Sequence, residues 1–247
     1  MTMDGAEGPA VRVGCAGWTV PRDHAARFPG EGSHLERYAR VFGAAEINSS
    51  FHRPHRRSTY ERWAASTPLD FRFSVKLPKE ITHKRKLVGA AEPLERFLAE
   101  AGGLGEKLGP LLVQLPPSLA FDPTTAPGFF ALLRGRCGGD VVLEPRHPSW
   151  FGAEPEALLA AQRVARVAAD PAPVPEAAAP GGWAGLAYFR LHGSPRTYYS
   201  AYTPDFLDAL AARLRPLSRA GPAWCIFDNT AAGAAAGDAL QLLRRLA

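Results

Sequence analysis

The stretch Val141-Val142-Leu143-Glu144-Pro145-Arg146-His147-Pro148-Ser149-Trp150 decides how the rest of the chain is read. Its first three residues form an uninterrupted apolar run, the pattern of a strand buried on both faces, because no alternation marks a face turned to water. The run stops in a carboxylate, a guanidinium and an imidazole, and the two prolines among them disfavour both a longer strand and a helix. Chemistry placed where a buried strand ends predicts a parallel sheet whose strand ends share one face.

Seven further stretches repeat the pattern on either side. Residues 11–18 begin as a strand and end at Gly14 and Gly17; residues 44–51 turn from apolar to Asn48, Ser49 and Ser50; residues 71–76 alternate and run into Lys79, His83, Lys84, Arg85 and Lys86. Residues 111–115 stop at Pro116-Pro117, residues 164–169 at Asp170-Pro171, residues 186–191 at His192-Gly193 and residues 224–227 at Asp228-Asn229-Thr230. Helical spacing fills the gaps. Ser33 with Glu36 resembles a capping box, Ser58 with Glu61 repeats its spacing ahead of Tyr60 and Trp63, Pro93 opens a third helix, and Thr203-Pro204 sets the start of a later one. Residues 171–182 are rich in proline, alanine and glycine with no apolar period, which predicts a loop in place of a full sixth helix. The expected fold is therefore α/β, a TIM-barrel-like closed parallel barrel of about eight strands with a weak or missing sixth helix. One domain over residues 11–247 is expected, preceded by a disordered segment at residues 1–10.

Composition agrees with a folded domain: 46% of the 247 residues are hydrophobic and 21% charged. No window approaches the roughly 20 apolar residues of a membrane span, and the N-terminus has neither a positive start nor an apolar core, so a cytoplasmic protein is expected. Cys15, Cys137 and Cys225 are odd in number and widely spaced, which reads as reduced thiols instead of a disulfide framework. A formal charge of +5 is compatible with an anionic ligand. Two basic loops, His52-Arg53-Pro54-His55-Arg56-Arg57 and the cluster from Lys79 to Lys86, follow adjacent strands and point the same way.

If the barrel closes, the strand ends place acid, base and amide groups at one mouth, where sites of this fold class lie. Glu144 and His192 are the expected proton-transfer pair, with Glu46 and Asp170 as further catalytic carboxylates. Asn48, Lys76, His83, Gln114, Arg146, His147, Trp150, Arg190 and Asn229 are the expected substrate-binding residues. Each has a structural alternative. Glu144 could be paired with Arg146 or Arg190, the histidines could be hydrogen-bonded scaffold, and Trp18, Phe51, Trp150, Tyr198 or Tyr199 could pack the mouth instead of stacking on a ring. No cofactor is expected. Glu46, Glu144, Asp170 and His192 would together suffice for a divalent metal, although no short ligand pair supports one.

These same residues carry a resemblance. Gly14-Cys-Ala-Gly-Trp18, Glu46-Ile-Asn-Ser-Ser-Phe51, Phe71-Arg-Phe-Ser-Val-Lys76 with Thr82-His83, Leu112-Val-Gln-Leu-Pro-Pro117, Leu143-Glu-Pro-Arg-His-Pro-Ser-Trp150, Tyr188-Phe-Arg-Leu-His-Gly193 and Phe227-Asp-Asn229 resemble, in order, the signature segments of the YecE-like family, domain of unknown function seventy-two. The resemblance implies a TIM-barrel-like fold with these motifs at one mouth, and no established reaction. Two departures stand out: Asp228 occupies a position usually held by asparagine, and Pro145 one where a residue with a backbone N–H is common. The functional expectation is an enzyme of hydrolase or isomerase type acting on an anionic, phosphate-containing small molecule. The alternative is a nucleic-acid-binding module or nuclease, and a barrel retaining only an interaction surface is a third possibility. No membrane partner is expected, and oligomeric state is not legible.

Overall fold

A computed structural model describes residues 11–247; the expectation of disorder at residues 1–10 lies outside them. Among the described residues are ten strands and seven α-helices, alternating except from β6 to β9, which no α-helix separates. The strands are β1 (Arg12–Ala16), β2 (Ala44–Ile47), β3 (Arg72–Lys76), β4 (Leu108–Gln114), β5 (Val141–Glu144), β6 (Val164–Arg166), β7 (Ala168–Asp170), β8 (Gly181–Gly182), β9 (Ala187–Leu191) and β10 (Ala223–Phe227). The helices are α1 (His34–Ala39), α2 (Arg57–Ala65), α3 (Ala91–Ala101), α4 (Thr125–Arg134), α5 (Ala153–Ala161), α6 (Pro204–Ala220) and α7 (Ala234–Leu246).

The count of ten reduces to eight staves. β6 and β7 are one stretch interrupted at Val167: β6 pairs with β5, the Val167 N–H still donates to Leu143 O at 2.9 Å, and β7 then pairs with β9. Through this handover the sheet order β9-β10-β1-β2-β3-β4-β5 returns on itself, and every pairing in it is parallel. The remaining strand, β8, is a two-residue antiparallel addition to β6.

The expected loop after the sixth stave is present. Between Asp170 and Ala187 there is only a 3-10 turn, Pro175–Ala178, and β8. A buried clamp covers the barrel wall there: Arg166 donates to Glu156 and to the carbonyls of Glu176 and Ala179, and Glu156 also accepts from the Gly182 N–H.

The caps at Ser33 and Thr203 form as expected. Ser33 accepts from the Glu36 N–H while the Glu36 carboxylate accepts from Ser33, and Thr203 accepts from the Phe206 N–H. Ser58 does not cap. α2 starts one residue before it, after Arg56, so Ser58 lies inside the helix. The basic segment after β3 coils into a π-helical turn, Glu80–Lys84.

Alternation along the staves sorts the interior. Val141 and Leu143 join the large core between the sheet and its helices, whereas Val142 belongs to a smaller cluster with Ala44, Leu112, Ala165, Tyr188, Trp224 and Ile226. That second cluster fills the lower barrel. Two residues further along the same strands stand Glu46, Gln114, Glu144, Arg190 and Asp228, so a polar layer lies directly above an apolar floor.

Candidate functional site

Arg190, fully buried near the end of β9, is the centre of that layer. Its guanidinium donates from Nη1 to Glu144 Oε2 (2.6 Å), from Nη2 to Glu46 Oε1 (2.6 Å) and Asp228 Oδ2 (3.0 Å), and from Nε to Glu46 Oε2 (2.9 Å). A planar fork makes four hydrogen bonds to three carboxylates, one more than the three N–H groups of a lysine ammonium could supply. The outer shell is also satisfied: Gln114 Nε2 donates to Glu144 Oε2 (2.9 Å), and the Tyr188 hydroxyl lies 3.1 Å from Glu46 Oε2 and 2.9 Å from Ser74 Oγ. Burial pushes the Glu144 carboxyl up, but Arg190, Arg146 and His192 outweigh it and hold it well below the usual carboxylate range. Asp228 is lowered in the same way, burial being overcome by Arg190, His192 and Lys76.

His192 sits beside this fork between two of the carboxylates. Nδ1 lies 3.0 Å from Asp228 Oδ2, and Nε2 lies 2.7 Å from Glu144 Oε1 and 2.7 Å from Arg146 Nη2, which itself donates to Glu144 Oε1 at 2.5 Å. Nδ1 faces an acceptor and therefore carries a proton. Nε2 faces one acceptor, Glu144, and two donors, Arg146 and, at 3.5 Å, Arg190 Nη1, so it can give a proton to Glu144 or accept from a guanidinium. An imidazole placed between carboxylates and guanidiniums in this way is positioned for proton transfer.

Above the layer opens a cleft of about 590 Å³ lined by Asn48, Phe51, Lys76, His83, Gln114, Tyr198 and Asp228, among others. Lys76 is only 6% exposed, and its ammonium makes no hydrogen bond or ion pair among the described residues; it lies 4.1 Å over the Phe51 ring. Burial, then the neighbouring Arg190, lowers its pKa to about 8, against the pull of Glu46, Glu144 and Asp228. His83 closes the rim, its ring edge-on to Phe51 and its Nδ1 2.9 Å from Thr82 Oγ1. Burial and the adjacent Lys76 and Lys79 lower its pKa. Asn48 contributes a buried Oδ1 without a partner among the described residues.

Of the residues expected to act, Glu46, Lys76, Gln114, Glu144, Arg146, Arg190 and His192 converge, with Asn48 and His83 on the rim. Four do not join them. Asp170 accepts from the Tyr202 hydroxyl (2.9 Å), which also receives the Gly193 N–H, and so anchors the loop after β9. Asn229 ties that loop to α7 by donating to Ser200 O and Asp238 Oδ2. His147 caps a 3-10 turn, accepting from the Ser149 N–H. Trp150 is buried, with its indole N–H on Leu119 O and its ring edge-on to Phe121. Of the four groups expected to suffice for a metal, Glu46, Glu144 and His192 share the Arg190 network and Asp170 is held by Tyr202, and among the described residues no group of three or more His, Cys, Asp or Glu is placed to hold a metal ion.

Asp228 and Tyr198, expected at or just past strand ends but not among the residues expected to act, also line the cleft. Asp228 follows Ile226 by two residues and so shares its inward face, a parity visible in the sequence. Tyr198, expected with Tyr199 only as a mouth aromatic, is placed by the loop: its N–H donates to His192 O and its ring meets the His192 ring edge-on at 5.7 Å. Gly193 permits the turn, with φ +91° and a Cβ position that would lie 2.7 Å from Ser200 O.

A family profile described as "Protein of unknown function DUF72" matches residues 12–247. UPF0759 protein YecE of Escherichia coli K12 is 33% identical over 146 residues, covering 57% of this chain and 53% of that protein, and its counterpart in strain O157:H7 is 32% identical over 118 residues, 47% and 43% respectively. The chain thus matches about half the length of these relatives. A crystal structure of a DUF72 family protein from Enterococcus faecalis superposes with a TM-score of 0.81 at 20% identity, covering 96% of this chain and 95% of that one. Another, from Thermotoga maritima, gives 0.78 at 25% identity, covering 96% and 99%. The likeness to the first establishes the fold alone. No helix among the described residues is long and apolar enough to cross a membrane.

Proposed function

The chain belongs to the DUF72 family of proteins of unknown function, and within it we propose an enzyme of hydrolase or isomerase type, working by acid/base chemistry on an anionic, phosphate-containing substrate in the cleft at the barrel mouth. The observation that carries the proposal is His192 held between Asp228 and Glu144 at 3.0 and 2.7 Å, directly beneath that cleft. His192 and Glu144 are fully buried, whereas Asp228 lines the cleft. Asp228 is thus the group that meets substrate, and His192 supplies or takes the proton behind it. Lys76, His83, Asn48 and Gln114 orient the anion. A cytoplasmic location belongs to the same proposal, supported by three cysteines that are all free thiols.

The test is a steady-state screen of sugar phosphates and phosphomonoesters with the parent, Glu144→Gln and Asp228→Asn. Removing one proton-handling group typically costs about 10²-fold or more in turnover. Parental kcat/KM in both variants on every accepted substrate, or no accepted substrate in the panel, would overturn the proposal.

A second reading, binding of single-stranded nucleic acid, is favoured by one feature. The cleft continues past Phe51, His52 and Lys79 into a groove of about 360 Å³ that includes Arg53, Lys84, Arg85 and Arg96. Glu80 and Glu92 pair with three of those cations, which leaves less charge for a phosphate backbone. Oligonucleotide affinity absent at low salt would end this reading.

A further inference from the structure

We propose that Lys76 is a covalent catalyst whose amine forms an imine with a carbonyl group of the substrate, so that the substrate class is an aldehyde or ketone that also bears an anionic group. The proposal rests on the anionic-substrate reading above and adds a bond to it.

Three observations lead there. The first is placement: Lys76 is buried at the end of β3 and lines the cleft, its nitrogen over the ring of Phe51, another lining residue, within reach of a carbonyl bound there. The second is the absence of a partner. Three carboxylates stand in the same layer, yet Glu46, Glu144 and Asp228 all close on Arg190, with Arg146 and His192 making the remaining ion pairs. No ion pair holds Lys76 as an ammonium. The third is residue choice. Only five of the 29 Lys and Arg side chains are lysine, namely Lys76, Lys79, Lys84, Lys86 and Lys107. A chain that meets almost every need for positive charge with arginine places an amine here, and an amine can form an imine whereas a guanidinium that never deprotonates cannot serve.

The lowered pKa of Lys76 is consistent with this chemistry, since it leaves on the order of a tenth of the amine uncharged at neutral pH. The groups facing the amine are Glu46 on β2, Glu144 on β5, Arg190 on β9 and Asp228 after β10, with His83 across the rim. In the step itself the nitrogen lone pair forms the N–C bond as the carbonyl π pair moves to oxygen, and one proton passes from nitrogen to that oxygen to give a carbinolamine. A second proton on the hydroxyl lets the C–O bond break and water leave as the nitrogen lone pair forms C=N, and the nitrogen gives up its remaining proton, so amine plus carbonyl gives imine plus water. The Tyr198 phenol lines the same cleft, and burial, then Asp228, raises its pKa and keeps it protonated. It is the donor available to the departing oxygen.

The experiment treats the full chain with pyridoxal 5′-phosphate at pH 7.5, reduces with borohydride and maps the adduct by peptide mass, with the other four lysines as internal controls. Lys79, Lys84 and Lys86 are exposed, so ordinary accessibility favours them. Imine chemistry at the mouth requires Lys76 to be labelled first, at least about tenfold faster than any of the three, with the adduct absent from Lys76→Arg and slowed by inorganic phosphate. Labelling of the exposed lysines with Lys76 untouched, or no faster than they are, would overturn the proposal, and this readout needs no variant to fold. Pyridoxal without its phosphate separates the two ideas. Equal labelling of Lys76 by both aldehydes, without protection by phosphate, would refute the anionic substrate and retain the imine. Phosphate binding with no Lys76 adduct would do the reverse.

Discussion

Arg190 and Glu144, both fully buried, meet through a 2.6 Å hydrogen bond that ties β9 to β5 across the barrel interior. Glu46 and Asp228 take the rest of the guanidinium, so one side chain pairs with three carboxylates from three staves. Desolvating such a cluster is costly, and its pairing returns that cost only while all members are present. Arg190→Met is therefore expected to lower unfolding stability by about 3–5 kcal/mol, the loss found when one partner of a buried pair is removed. A urea titration measures it; a loss below about 1 kcal/mol would mean that the network carries little of the fold.

The position of this cluster was legible in the sequence to an extent that follows from strand geometry. Glu46, Gln114, Glu144 and Arg190 end apolar strands, and once a parallel barrel is inferred, an inward-facing residue at a strand end has one place to go. The same rule failed at Asp170, which ends a stave but is captured by Tyr202, a residue from a loop whose path the sequence does not encode locally. It failed at Trp150 for a related reason: the 3-10 turn Pro148–Phe151 carries the ring away from the mouth and under Leu119. The handover at Val167, with one stave counted as two strands, leaves no mark on residues 164–169, since buried apolar residues suit either partner.

Acid should reveal the carboxylates. In the folded chain the Glu144 and Asp228 carboxyls lie below their ordinary values of 4.5 and 3.8, so as pH falls through that region the unfolded chain takes up protons that the folded chain refuses. The stability these groups contribute is complete above about pH 5 and is lost as pH falls through their folded values. Urea midpoints for the parent are expected to decline steeply from about pH 4.5 downward. Asp228→Asn, which removes one of the two groups, should flatten that slope. An unchanged slope in the variant would show that Asp228 is not held ionised by Arg190 and His192.

Lys76 works in the opposite direction, and here the expectation for stability runs against the expectation for function. Its folded pKa of about 8 lies below the ordinary 10.5, so the fold disfavours the charged form. Between those values the unfolded chain binds a proton that the folded chain has released, and stability rises with pH across that window. Below pH 8 the buried ammonium is a standing cost on the order of 3 kcal/mol. A methionine of similar length carries no charge and can lie against Phe51, so Lys76→Met is expected to raise the urea midpoint at pH 7 while abolishing phosphate binding and imine formation. Its advantage over the parent should shrink between pH 8 and pH 10.5 as the parent's own penalty disappears. A variant less stable than the parent at pH 7, or an advantage independent of pH, would show that Lys76 is held by pairing the structure does not contain. The predicted outcome identifies a residue kept at the mouth in spite of the fold, as expected when stability is given up for reactivity.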